Sequence, residues 1–192
     1  MNLGTAALRG LVGPLFIGHG TQKLFGWFGG PGLDATAGGF EQMGLRPGRR
    51  HATGAGLAEA VGGALLTLGA FTPLAGGLIT GTMVTAIRKV HAPNGPWATS
   101  GGWEYNGVLI AALAALVDVG PGRPSIDANA FPNLKGPFWA ALAVGSGVAG
   151  SYLVTEKLTT GGAAPTAAPE AGAGDPASPG GAAQAETAGA GS

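Results

Sequence analysis

Six ionisable residues stand in or beside otherwise apolar runs of this 192-residue chain: His19, Lys23, Glu59, Arg88, His91 and Glu104. Their chemistry is that of proton exchange and anion recognition. Imidazole hydrogen-bonds a carbonyl or carries a proton near neutrality, a carboxylate gives or takes a proton, and lysine or arginine neutralises an anion. Spacing groups them further. His19 and Lys23, four apart, share one helical face, and Arg88 and His91, three apart, share another. Each charged side chain placed toward the middle of a membrane costs about 2.5–3.5 kcal/mol, so pairing across helices is expected. Lys23 and Arg88 are long enough to reach headgroups, whereas Glu59 is short and needs a partner among His19, Lys23 and Arg88. A purely structural pair involving Glu59 fits the sequence as well as a proton-handling one. Arg9 reads as a structural anchor and His51 as a surface residue.

Composition limits the chemistry. The chain has no cysteine, so it forms no disulfide, thiol redox centre, thiolate-held iron–sulfur cluster or covalent haem. His19 and His91 could face each other as axial ligands of a b-type haem, but nothing in their spacing requires it, and hydrogen bonding or proton transfer is preferred. No metal site is expected. The formal net charge is zero, which leaves no electrostatic case for nucleic acid. No phosphate-binding glycine loop ending in Gly-Lys-Ser/Thr is present.

These residues need elements to hold them. Apolar stretches at 4–25, 51–71, 73–90, 103–119 and 138–154 are each roughly 17 to 22 residues, close to the about 20 that a helix needs to cross a bilayer. Runs such as 109–117, apolar on every side, lack the alternation of a membrane barrel. The expected fold is therefore all-α, a transmembrane bundle of four core helices plus a fifth. We divide it into a four-helix membrane domain at 1–130, an additional helix at 131–157 and a Gly/Ala/Pro-rich tail at 158–192, expected to be disordered. The first run lacks a signal-peptidase site and is read as a retained helix. Gly13 with Gly20, Gly62–Gly63, and Gly77 with Gly81 are expected to let helices approach closely.

Five crossings place Lys23, Arg46, Arg49, Arg50, Arg88, Lys89 and Lys157 on one side, and Arg123 and Lys135 on the other with Arg9 nearby. The richer side is read as cytoplasmic. His19, Lys23, Glu59, Arg88, His91 and Glu104 then share one layer near that face, with Trp27, Trp97, Trp103 and Tyr105 as an aromatic belt.

The series Gly18-His19-Gly20-x-x-Lys23-Leu24-Phe25-Gly26, Glu59-x-x-Gly62-Gly63, Thr72-Pro73, Val90-His91, Glu104-Tyr105-Asn106 and Gly120-Pro121-Gly122-x-x-Ser125-x-Asp127 resembles the DoxX family of small membrane proteins. The resemblance runs from Arg9 to Asp127 and implies a four-helix bundle in the bacterial cytoplasmic membrane. It also implies kinship with the DoxD-type subunit of thiosulfate:quinone oxidoreductase, and soluble or membrane redox partners. Carried onto this chain, it favours His19, Lys23, Glu59, His91 and Glu104, with Asn106 in support. The expected function is a redox-linked subunit binding a quinone or a small sulfur oxyanion. Glu59, His91 and Glu104 would do the proton chemistry, with His19, Lys23, Arg88 and Asn106 holding the ligand. The competing classes are a small-solute transporter or channel and a non-catalytic anchor for a soluble redox partner.

Overall fold

A computed structural model of the chain describes residues 2–159. Seven α-helices form the fold, and no strand occurs among the described residues: α1 (Leu3–Phe25), α2 (Gly32–Gln42), α3 (Gly48–Leu68), α4 (Thr72–Ala86), α5 (Glu104–Val119), α6 (Ile126–Ala130) and α7 (Pro137–Tyr152). Helices α4 and α7 each continue into a wider turn with i→i+5 bonding, at Ile87–His91 and Leu153–Lys157.

The five apolar stretches thus correspond to α1, α3, α4, α5 and α7. Two helices were not foreseen in the loops between them. Helix α2 lies within the expected 27–50 loop, where Gly32, Gly38 and Gly39 break up any apolar run. It is a surface helix that packs on α3, with Asp34 paired to Arg49. Among the described residues one helix, Pro137–Lys157, is long and apolar enough to cross a membrane by length and composition. In α4 glycine and threonine dilute the apolar content, in α3 Glu59 and several glycines do the same, and α5 has only 16 residues. The expected 158–192 tail lies, from residue 160 onward, outside the described residues.

Small residues set the packing. A Cβ added to Gly20 would stand 2.5 Å from the Gly56 carbonyl, and one on Gly63 would stand 2.5 Å from the Gly13 carbonyl, so α1 and α3 meet backbone to backbone. A Cβ on Gly147 would lie 2.7 Å from the Gly77 carbonyl, which joins α7 to α4 in the same way. Helix α5 packs on both α4 and α7. Val12, Phe16, Leu66, Ile79, Met83, Leu109, Leu113 and Leu116 fill the space between α1, α3, α4 and α5.

At one pole, two buried charges tie the connections together. The Arg9 guanidinium donates to the carbonyls of Pro121 (2.8 Å), Thr67 (2.8 Å) and Pro124 (2.6 Å). Asp127 accepts from the amides of Phe71 and Thr72, both at 2.7 Å, and from the Thr72 hydroxyl at 2.6 Å. A carboxylate at the first amides of α4 satisfies donors the helix cannot and complements its dipole. It also holds Phe71 at φ 45, a left-handed conformation a phenylalanine rarely adopts. Gly69, at φ 60, admits no side chain, because its Cβ would meet Ser125 and Arg9 within 3 Å. Arg9 is therefore the structural anchor that the sequence indicates.

Candidate functional site

The opposite pole holds a cavity of about 1070 Å³. Its lining follows helix faces. From α1 come Val12, Leu15, Phe16, His19 and Lys23, a set spaced by three and four residues on one face. Across from it stand Tyr105, Asn106 and Leu109 of α5, Met83 of α4, and Val90 and His91 beyond it. Glu59 of α3 closes this arm from behind. A second arm lies between α3 and α7, which both pack on α4 and little on each other. Phe40, Met43 and Leu45, following or ending α2, line the same space.

The centre of the first arm is an ion pair. Lys23 Nζ lies 2.6 Å from Glu59 Oε2, the lysine side chain 25% exposed and the glutamate 6%. The close α1–α3 contact at Gly20 and Gly56 brings them together. His19, one turn before Lys23, is exposed to the cavity and packs edge-on against Phe16 with ring centroids 6.0 Å apart. His91 Nδ1 lies 2.7 Å from the Gly101 carbonyl. A carbonyl only accepts, so Nδ1 carries the proton and Nε2 is left to bond a cavity ligand. Asn106, buried, donates to the Met83 sulfur at 3.3 Å. Such a constellation can hold a polar headgroup and move a proton at its edge.

Of the seven residues named from sequence, five meet here: His19, Lys23, Glu59, His91 and Asn106. Two do not. Arg88 turns away, donating to Thr155 Oγ1 and Glu156 Oε1, each at 2.7 Å, with its guanidinium 3.7 Å from the centre of the Tyr152 ring. The reason is the wider turn at Ile87–His91. Its i→i+5 bonding advances less around the axis per residue, so positions three apart no longer stack. Glu104 sits in the first turn of α5, half-buried, and does not line the cavity.

His51, read as a surface residue, is instead 6% exposed and lines the cavity, with Nε2 3.4 Å from both the Arg46 carbonyl and Thr159 Oγ1. All three histidines of the chain thus face one space. Arg50, Lys89 and Tyr105 also line it; nothing in their sequence setting distinguishes them from headgroup-facing residues. Among the described residues, no cluster of three or more potential ligands could hold a metal ion.

Residues 4–92 match the family model DoxX. No curated protein and no solved structure matches the chain. The matched segment carries His19, Lys23, Glu59 and His91 and ends before α5, so Asn106 and the Gly120–Asp127 series lie beyond it. Together with the apolar helix Pro137–Lys157, the match supports a membrane location.

Proposed function

With residues 4–92 forming a DoxX domain, we propose that this protein is a multi-pass subunit of the bacterial cytoplasmic membrane that binds a quinone for a redox partner. The observation that carries the reading is the Lys23–Glu59 pair facing a cavity that is charged at one end and apolar at the other. Val12 to Lys23 covers about 16 Å of α1 at 1.5 Å per residue, from apolar wall to ion pair. A long, mostly apolar cavity with a few convergent polar groups suits a lipophilic ligand with a polar head better than a small sulfur oxyanion.

The chain's own residues have distinct parts in this reading. His91, fixed by Gly101, presents Nε2 to a carbonyl or hydroxyl, and His19 flanks the same position from α1. Glu59 takes or gives the proton that accompanies reduction or oxidation, and Lys23, 2.6 Å away, keeps the carboxylate in place at the cavity wall. A quinone, when bound, supplies two-electron, two-proton chemistry. The electrons come from or go to a partner subunit or soluble redox protein, since a chain without cysteine has no thiol centre to carry them.

The test is retention of native quinone. Protein purified with its lipids should carry quinone, and Glu59→Gln and His19→Ala should each lower it at least severalfold while helical content stays unchanged. Full retention in both folded variants rejects the site. Solute uptake into liposomes without any electron acceptor would favour a transporter instead.

A further inference from the structure

The second arm of the cavity plays no part in the quinone reading, and its shape and charge point to a different ligand. We propose that it holds an acyl chain of an anionic phospholipid, with the phosphate drawn to Arg50 and Lys89.

Three observations carry this. The first is geometry. Helices α3 and α7 both pack on α4 and little on each other, with His51 of α3 meeting Thr159 only beyond the end of α7, which leaves a groove whose floor is the α4 face of Leu74, Leu78 and Thr82. Leu74 remains 54% exposed, so the apolar end of the groove opens outward. The second is width. Gly54 on one wall and Gly150 on the other would each carry a Cβ into open space, with nothing within 4 Å. The walls therefore stand apart by more than packed helices do, which leaves room for a chain of methylenes.

The third is charge at the mouth. Arg50, the first basic side chain on the α3 wall, forms no ion pair among the described residues, and Lys89 ends the α4 floor at the same pole. Of the carboxylates nearby, Glu156 pairs with Arg88, Asp34 with Arg49 and Glu59 with Lys23, while Glu41 accepts the Gly48 amide at 3.1 Å at the start of α3. His51 adds a buried imidazole to the lining of the same cavity. Basic residues beside a groove between membrane helices form an electrostatic match for an anionic headgroup, and the apolar floor directs the attached tail. A free inorganic anion would use the charges but not the groove.

The experiment equilibrates the full-length purified protein in detergent with equal amounts of phosphatidylglycerol and phosphatidylcholine of identical acyl chains, then measures bound lipid by native mass spectrometry. The wild type should retain phosphatidylglycerol about tenfold over phosphatidylcholine. Arg50→Gln/Lys89→Gln should bring the ratio near one. Gly54→Leu or Gly150→Leu should reduce retention of both lipids, while Gly145→Leu, which faces open space outside the cavity, should not. If the groove-filling variants do not fold, the charge variant decides alone. Equal retention by the wild type, an unchanged ratio in the charge variant, or full displacement by inorganic phosphate would each overturn the proposal. Quinone measured in the same samples separates the two readings: loss of quinone with the lipid preference intact counts against the quinone site only.

Discussion

Removing the lysine from the Lys23–Glu59 pair would strand a carboxylate whose side chain is 6% exposed. An unpartnered buried charge costs about 3–5 kcal/mol, and the partly open lysine places this case near the lower end. Lys23→Met should therefore destabilise the protein by about 3 kcal/mol in denaturant unfolding, and Lys23→Met/Glu59→Leu should recover much of that loss. Simple addition of the two single effects would show that the pair is not coupled. That Glu59 needs a partner is legible, because it is short, acidic and deep in an apolar run; that the partner is Lys23 rather than His19 or Arg88 is not. Nor is the place of Arg88, since it depends on a turn whose hydrogen bonds no spacing rule reveals. The burial of His51 is hidden from the sequence for a related reason: it comes from Thr159 and the segment at Arg46, distant or irregular in sequence.

At the scale of elements, glycine decides which helices can touch. Gly147 and Gly145 are two residues apart on α7, yet a Cβ on the first meets the Gly77 carbonyl at 2.7 Å and one on the second meets nothing within 4 Å. Gly147→Ala should cost about 1–3 kcal/mol by forcing α7 off α4. Gly145→Ala should stabilise by up to about 1 kcal/mol through lost backbone entropy in the unfolded chain. Thermal unfolding in detergent measures both, and equal effects would mean that the α4–α7 contact is not set by Gly147. The five long helices could be read from run length alone. Helix α2 could not, because its few apolar residues gain their meaning only from α3 and from the space that Phe40 helps to line. The fifth helix, seen in sequence as an addition, is a wall of the cavity through Gly150, Ser151 and Val154.

For the whole molecule, the absence of native cysteine makes orientation directly measurable. Ser100 and Asn129 are exposed at opposite poles. If the basic pole faces the cytoplasm, Ser100→Cys should react with an impermeant thiol reagent only after the membrane is opened, and Asn129→Cys should react in intact cells. The reverse pattern would turn the cavity outward. Whichever way it faces, the two poles differ mechanically. Arg9 and Asp127 stitch the connections of α1, α3, α4 and α6 at one end, whereas the helices at the other end surround the cavity. A sheaf bound at its base can splay only at its tips, so thermal breathing is funnelled to the mouth, and amide exchange should quicken from the Arg9 knot toward Lys23.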